Sequence, residues 1–499
     1  MNRRSASLFW CSLIATVLVV FRSYPFLAYE HLDFDSDQAI VGLMAKHLSE
    51  FRTFPLFFYG QHYMLGVQAW IAAPFYWLGG PTVAMLRMPL LLINAAVAVW
   101  LLRLITRSTG SAYLALAAVL PLAAATPVLS ANLLETLGAS VEPFLYVLML
   151  WALRDRPAAF GVVLAVGFLH REFTIFALGG VVVALFYERG RYGLADLRRA
   201  VWAALAFGSV WLVVDQLKRH INTLGPAGGI TTTAPLTLQF ETLLARVTLA
   251  PSQAVSKLWQ VFTDVMPDLL GMRSLQPLHY NINSEVIVGS PVIAFLLLAT
   301  WAICLVRVSS RLWISRNSQG PARPSPFCVY LAAIGAQALL AYSLSTIDPR
   351  FPAILRYALF AVFLPIALVT AFFELERRRS LQILVAFMLA LSGALNVRDS
   401  WRFAAEYRAV PPPADEHRIL ADDLIAHGVQ YGSAIYADAY ITDFFARERV
   451  ILNSTEKVRI GVYQADVARH LASAVRVVRQ PCSAGRPVAS WCIVDPLPR

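Results

Sequence analysis

Hydrophobic and polar residues follow each other along this chain in long blocks, without the short periods of a soluble domain. Apolar runs of about 20 residues, long enough to cross the hydrocarbon core of a bilayer as helices, recur as far as residue 397. They lie near 8–28, 83–104, 111–130, 133–152, 200–217, 285–308, 326–346, 357–373 and 381–397. The pattern predicts an all-α polytopic membrane protein.

The apolar stretch 160–187 needs separate treatment, because basic loops flank both of its ends. The chain must therefore enter and leave the membrane there on the same side. His170, Arg171 and Glu172 lie near the midpoint of the stretch. We predict two short helices whose polar junction is buried in protein or lines water. Counting them separately gives about 11 transmembrane helices of bilayer length.

Two amphipathic stretches, near 36–48 and 63–78, follow the first span. If 63–78 crossed the membrane, every later basic loop would move to the outer side, against the positive-inside rule. We predict that both stretches lie on the outer surface as interfacial helices within a first loop of residues 29–82. A second long outer loop, 218–284, is a candidate lid over a site.

Composition agrees with this pattern: 58% of the 499 residues are hydrophobic and 15% are charged. The formal net charge of +11 would fit a nucleic-acid partner only if the basic residues shared one soluble face. They lie instead in short loops between spans, where positive charge stays on the cytoplasmic side. The sequence therefore predicts no nucleic-acid partner and a bacterial inner-membrane protein with a cytoplasmic N-terminus and a periplasmic C-terminus.

The chain changes character after residue 397, which we take as the end of a transmembrane domain of residues 1–397. Residues 398–499 predict a small periplasmic α/β domain, with a helix at 414–427 and strands near 433–437, 449–452, 475–478 and 490–494. Cys482 and Cys492 lie on neighbouring strands of this domain, and an oxidising compartment would allow them to pair. Cys11, Cys304 and Cys328 fall in or beside apolar spans and fit inert packing positions.

Candidate chemistry concentrates in the acidic run that contains Asp33, Asp35 and Asp37. On an extended segment, Asp35 and Asp37 would point to one side and Ser36 to the other. A carboxylate there could be a general base, or the pair could hold a divalent cation at a leaving phosphate. A solvated acidic loop is the open alternative. The sequence has no CxxC or HExxH spacing, no GxGxxG and no Walker loop.

Arg356 is a second candidate, because it begins a span on the outer side where the positive-inside rule gives no reason for it. Guanidinium groups bind phosphate oxygens through two parallel hydrogen bonds, and a lipid phosphate would lie at this depth. An interfacial arginine whose stem lies along apolar surface is the open alternative. Lys46, His47 and His62 are weaker candidates, since headgroup contact is the ordinary explanation for them.

Residues 37–48 and 57–64 resemble the first outer loop of the GT-C superfamily of integral-membrane glycosyltransferases. The likeness is to the family 39 branch, with the protein mannosyltransferases, the aminoarabinose transferase of lipid A and the rhizobial lipopolysaccharide sugar transferases. Asp37 matches the catalytic acid of that loop, but Gln38 stands where many members have a second acid, so Asp35 could substitute. The segments 134–143, 170–172, 356–365 and 438–450 resemble later family segments in the same order.

The resemblance implies a fold with a periplasmic active site and a sugar donor on undecaprenyl or a similar polyprenyl phosphate. It implies the following site residues: Asp37 as general base, Asp35 and Glu142 (with Glu135 as competitor) as assisting acids, Arg356, Tyr357 and Arg171 at the donor phosphate, and Gln61, His62 and Tyr63 at the substrate. Membrane lipid surrounds such an enzyme, and its acceptor would be an envelope glycan, lipid or protein. A divalent cation is an optional cofactor.

Two other classes of function stay open at this point. A transporter or flippase for a lipid-linked or anionic substrate would also use a broken, charged hairpin such as 160–187. Against it, the chain shows no repeated hydropathy halves, and the candidate residues gather on one face. A non-catalytic membrane protein of polysaccharide assembly is the third class, with the C-terminal domain as its docking module.

Overall fold

The structure is a computed structural model. It describes residues 3–61, 64–138, 140–224, 245, 247, 250–276, 286–316, 323–346, 355–409, 415–482 and 484–495. Helices in the first 409 residues are Arg3–Ala28, Ser36–Ser49, Val67–Gly79, Val83–Thr109, Ala112–Ala123, Pro127–Leu134, Glu142–Leu153, Pro157–His170, Ile175–Arg189, Leu194–Leu224, Pro251–Gln260, Met266–Leu270, Pro291–Arg316, Pro326–Ser343, Leu355–Ala358, Phe363–Leu375 and Arg379–Ala409.

Seven of the described helices are long and apolar enough to cross a membrane. Helices Ala112–Ala123 and Pro127–Leu134 form an eighth span if the pair, bent by 79°, is counted as one. Thr126 caps the second helix of this pair by accepting from the Leu129 amide, and Pro127 fits its first turn. The fold is therefore that of a multi-pass membrane protein.

The predicted number of about 11 spans exceeds this count because three predicted spans are short helices. They are Glu142–Leu153, Pro157–His170 and Ile175–Arg189, with 12, 14 and 15 residues. The break between the last two falls at residues 171–174, where a 3₁₀ turn, Glu172–Thr174, follows Arg171. The predicted polar junction of 160–187 is thus present, and His170, Arg171 and Glu172 are buried.

The two stretches predicted to lie on the outer surface form helices of 14 and 13 residues, Ser36–Ser49 and Val67–Gly79. Neither is among the helices that could span a membrane. Much of the predicted lid at 218–284 lies outside the described residues. Within it, the preceding helix continues to Leu224, and Pro251–Gln260 and Met266–Leu270 are also helical.

The C-terminal part forms a five-stranded sheet with three helices. Its strands are β1 (Tyr431–Ala434), β2 (Ile451–Ser454), β3 (Val475–Arg479), β4 (Arg486–Val488) and β5 (Trp491–Val494), in the order β2-β1-β3-β5-β4. β1 is parallel to β2 and β3, whereas β5 is antiparallel to β3 and β4. The helices are Glu416–Ala426, Tyr436–Phe445 and Gly461–Arg469.

The boundary between the two parts was placed at 397, but the last long helix continues to Ala409. The predicted boundary prolines, 411–413, lie outside the described residues. Cys482 and Cys492 are joined by a disulfide with their Cα atoms 5.6 Å apart, while Cys11, Cys304 and Cys328 are buried free thiols.

The C-terminal domain shares a hydrophobic core with helix Ser36–Ser49. Phe444 packs so closely on this helix that a Cβ atom added at Gly42 would lie 2.5 Å from the Phe444 ring. The Phe34 ring also packs against Phe444 and Phe445, at centroid distances of 5.4 and 5.7 Å. The acidic run of the first outer loop is consequently held between the membrane domain and the C-terminal domain.

Candidate active site

Asp35 is the N-terminal cap of helix Ser36–Ser49. Its backbone is extended and its carboxylate accepts from the Gln38 amide at 2.9 Å, so it satisfies one of the free amides of the first turn. The expectation of an extended segment with Asp35 and Asp37 on one side is therefore wrong. Ser36 already belongs to the helix, and its buried hydroxyl donates to the carbonyls of Tyr436 and Ala437.

Asp37 lies in the first turn of this helix and faces the C-terminal domain. The Tyr436 hydroxyl donates a hydrogen bond to Asp37 Oδ1, and Arg459 Nη2 lies 3.7 Å from the same oxygen. The Asp37 side chain keeps 33% of its surface exposed, whereas Arg459 is 4% exposed. Neither partner could be predicted from the sequence, because both lie some 400 positions away along the chain.

Gln38, which stands where many family members have a second acid, has a structural role. The side chain is fully buried and donates to the Asp33 carbonyl at 2.7 Å. Its Oε1 accepts from Arg87 Nη2 and from the amide and hydroxyl of Thr136, each at 3.2 Å. Gln38 thereby ties the acidic run to the segment that carries Glu135.

Glu135 and Arg356 form an ion pair at 3.1 Å and are 12% and 17% exposed. The Arg356 guanidinium also lies over the Tyr357 ring, 5.4 Å from its centroid. Arg356 and Glu135 are close enough to Asp35 to affect its ionisation. The structure therefore brings Arg356 and the acidic run together and, of the two competing acids, places Glu135 beside Arg356.

Desolvation raises the pKa of two acids in this group, Asp33 and Asp35. Desolvation raises the pKa of Asp35 to about 7, and the charges of Asp37 and Glu135 act in the same direction. Asp35 is nevertheless exposed to solvent. A carboxyl group that titrates near neutral pH beside other acids is typical of functional sites.

Glu142 and Arg171 belong to a separate, more deeply buried group. Glu142 begins helix Glu142–Leu153 and accepts from the Ser140 hydroxyl at 2.9 Å. Arg171 donates to the Leu137 carbonyl at 3.0 Å. His170 contacts the Tyr146 hydroxyl at 3.1 Å. The contacts of Glu142 and Arg171 hold the segment 134–142 in place.

The remaining predicted residues are placed only in part. The backbone amide of Gln61 donates to the Phe58 carbonyl, and the buried side-chain Oε1 of Gln61 has no hydrogen-bond partner among the described residues. His62 and Tyr63 lie outside the described residues. Tyr357 lines a cavity of about 220 Å³ together with Glu172, Phe173 and Tyr342. Within the described ranges, no three His, Cys, Asp or Glu residues form a group that could hold a metal ion.

The comparison with solved structures finds the same fold, a polytopic helical domain with a small additional domain, in a membrane protein. The chain is similar to ArnT from Cupriavidus metallidurans bound to undecaprenyl phosphate. The TM-score is 0.59 at 12% sequence identity, over 94% of this chain and 93% of that chain. At this identity the likeness establishes the fold alone.

An oligosaccharyltransferase from Archaeoglobus fulgidus in the apo form also matches. Its TM-score is 0.49 at 14% identity, over 96% of this chain and 70% of that chain, and this weaker likeness carries no argument here. Neither the protein-family models nor the curated protein sequences gave a match.

Proposed function

We propose that this protein is a membrane glycosyltransferase that moves a sugar from a polyprenyl-phosphate donor to an envelope acceptor, which is lipid A, a polysaccharide or a protein. One observation carries the proposal: Arg356 is paired with Glu135 and lies near Asp35 of the acidic loop, so a phosphate-binding cation and candidate bases lie together. The GT-C fold supports it, and so does the undecaprenyl phosphate in the similar ArnT structure.

The donor phosphate is expected to bind Arg356. Glu135 orients the guanidinium in the absence of donor, at 3.1 Å, and the phosphate competes for the same donors. The cavity beside Tyr357 is lined mainly by aromatic and apolar side chains and suits the first isoprene unit of the lipid. Arg171 contributes at longer range, since its own contacts are with the segment that carries Glu135.

The chemical step requires a base on the acceptor side. Asp37 takes the proton of the acceptor hydroxyl as its oxygen forms a bond to the anomeric carbon. The bond between that carbon and the phosphate oxygen breaks, and its electron pair leaves with the lipid phosphate, whose charge Arg356 stabilises. Attack opposite the leaving group inverts the anomeric configuration. Asp35 and Glu142 assist by positioning, and a divalent cation remains an optional addition near the acids.

The site is proposed to face the periplasm from the inner membrane, with the N-terminus cytoplasmic. The arginine-rich loops support this orientation, because positive charge is retained on the cytoplasmic side. In the same orientation helices Ser36–Ser49 and Val67–Gly79 lie on the outer surface, where a lipid-linked donor presents its sugar.

The test is transfer of labelled sugar from polyprenyl-phosphate donors by purified, detergent-solubilised protein. Asp37→Asn should lower the rate 10²- to 10⁴-fold, the usual loss for a general base. Arg356→Ala should weaken donor use, and Arg356→Lys should restore only part of it, because an ammonium group cannot reproduce the planar fork. Asp422→Asn, at an exposed acid of the C-terminal domain, is the matched control and should transfer normally.

Asp35→Asn separates two mechanisms. A loss equal to that of Asp37→Asn would indicate a cation shared by both acids, whereas a smaller loss supports Asp37 as the single base. Transfer by Asp37→Asn at the wild-type rate, with normal expression, would show that the proposed mechanism is wrong. A protein that moves the donor across vesicles without transferring its sugar would instead be the flippase alternative.

A further inference from the structure

The C-terminal domain contributes two side chains to the candidate active site, and both converge on one oxygen of Asp37. The Tyr436 hydroxyl donates to Asp37 Oδ1 and accepts from Arg459 Nε at 3.3 Å. Arg459 Nη2 lies 3.7 Å from Oδ1. A chain of hydrogen bonds thus runs from the buried guanidinium through the phenol to the carboxylate.

The fold fixes this arrangement from three directions. Arg459 Nη1 donates to the Gly60 carbonyl at 3.0 Å, and the guanidinium lies over the Phe58 ring at 5.3 Å. Gly60 has φ +68°, and a Cβ atom there would come within 2.8 Å of the Arg459 side chain. The Arg459 amide donates to the Tyr440 hydroxyl at 2.6 Å. These contacts leave Arg459 little freedom, so the position of Tyr436 is well defined.

The consequence for Asp37 is that its two oxygens differ. Oδ1 accepts the hydrogen bond from Tyr436, while Oδ2 receives no hydrogen bond from any residue that the structure describes. The charged and titratable groups that face Asp37 are Asp35 from the same loop and Tyr436, Lys457 and Arg459 from the C-terminal domain. Desolvation, reinforced by the charge of Asp37, raises the pKa of Tyr436, so the phenol remains a donor.

We propose that Tyr436 and Arg459 are positioning residues of the active site: they hold Asp37 through Oδ1 and leave Oδ2 to take the acceptor proton. This inference rests on the proposed function, in which Asp37 is the base. It assigns the C-terminal domain a direct part in the reaction, and docking of that domain becomes a condition for activity. The acceptor hydroxyl then approaches Asp37 from the side of Oδ2, away from Arg459.

The test compares Tyr436→Phe with Tyr431→Phe in the full-length protein. Tyr431 lies in the same domain, where its ring stacks on His470 at 4.0 Å, and its variant should behave as wild type. Tyr436→Phe should lower kcat about 10- to 100-fold, the value of a hydrogen bond to a charged group, with the donor KM unchanged.

The kcat of Arg459→Lys should lie between those of the wild type and Tyr436→Phe, since lysine keeps the charge but cannot contact Gly60 and Tyr436 together. A kcat of Tyr436→Phe identical to that of the wild type would overturn the inference, while an inactive Asp37→Asn in the same assay would leave the proposed function intact. Wild-type transfer by Asp37→Asn would overturn both. Thermal unfolding of each variant shows whether it is folded. A Tyr436→Phe protein that unfolds like the wild type but has a lower kcat supports the positioning role of Tyr436.

Discussion

Glu448 joins the C-terminal domain to the first outer loop, and its replacement by Gln offers a sharp test of that contact. The Glu448 side chain is 7% exposed and accepts from four partners. They are Lys46 Nζ at 2.5 Å, His47 Nε2 at 2.8 Å, Arg52 Nη1 at 2.6 Å and the Tyr463 hydroxyl at 2.8 Å. Glu448→Gln keeps the shape of the side chain and removes the charge on which three of these contacts depend.

Removing one partner of a buried ion pair costs about 3–5 kcal/mol, because the other charge is left uncompensated. Lys46 keeps a second carboxylate, Glu50, at 3.0 Å, and Arg52 is 49% exposed. We therefore expect the lower end of the range, about 3 kcal/mol, which corresponds to roughly a 100-fold rise in the undocked population. His47 contributes to this loss, because it is buried against Tyr59 and has no other carboxylate partner in the described part of the chain.

The sign of the pH dependence follows from Glu448 itself. Burial alone would raise its pKa, but hydrogen bonds from His47, Arg52 and Lys46 outweigh burial and hold the pKa well below its usual range. A lowered pKa stabilises the folded state above the unfolded value, near 4.3, and that stability is lost as the pH falls through and below it. Docking in the wild type should weaken on acidification, and Glu448→Gln should show less of this dependence.

Hydrogen exchange at helix Ser36–Ser49 and at residues 447–454, together with thermal unfolding in detergent, measures the effect. Asp466→Asn is the control: it breaks the surface pair with Arg469, which is 69% exposed, and should cost less than about 1 kcal/mol. If Glu448→Gln exchanges and unfolds like Asp466→Asn, the buried network does not hold the domains together and the reasoning is refuted.

Three further predictions concern topology, the disulfide and Asp35. A reporter active only in the periplasm should be active after residues 60, 250 and 450 and silent after 107, 318 and 378; activity at 318 would reverse the orientation. Cys482 and Cys492 should react with alkylating reagents only after reduction. Burial and the charge of Asp37 raise the pKa of Asp35 to about 7, so the donor KM should increase as the pH rises through 7. Ionised Asp35 repels the donor phosphate, so a donor KM in Asp35→Asn with the same pH dependence as wild type would contradict this account.

Sequence reasoning predicted the fold because hydropathy and charge are local signals, and from the same signals it proposed residues for the site. Blocks of apolar residues and the positions of arginines identified the spans, and the acidic run marked the first outer loop. It misjudged only the backbone at Asp35 and Asp37, since a capping carboxylate and an extended one share the same residue types until the helix start is known. It also favoured Glu142 over Glu135, although only the tertiary fold decides which acid meets Arg356.

The contacts of the C-terminal domain with the candidate active site could not be predicted from the sequence. Tyr436 and Arg459 lie in ordinary helix and loop positions of a domain that local pattern describes only as α/β. Their significance arises from contacts with Asp37 and Gly60, far away along the chain. Long-range pairs of single side chains leave no periodicity or composition signal, and for this reason a small α/β domain was predicted while its contacts with Asp37 were not.

Glu448 and Tyr436 both join the C-terminal domain to helix Ser36–Ser49, yet their variants should fail in different ways. Asp37 and His47 are ten residues apart on this helix, roughly 15 Å along its axis, so the Glu448 network does not contact the base. Glu448→Gln should therefore keep the wild-type kcat at low temperature and lose activity faster on heating, because only the docked fraction changes. Tyr436→Phe should lower kcat at every temperature and keep the wild-type unfolding midpoint. If both variants lost kcat and stability in parallel, docking alone would explain the contact with Asp37, and Tyr436 would have no separate part in the chemistry.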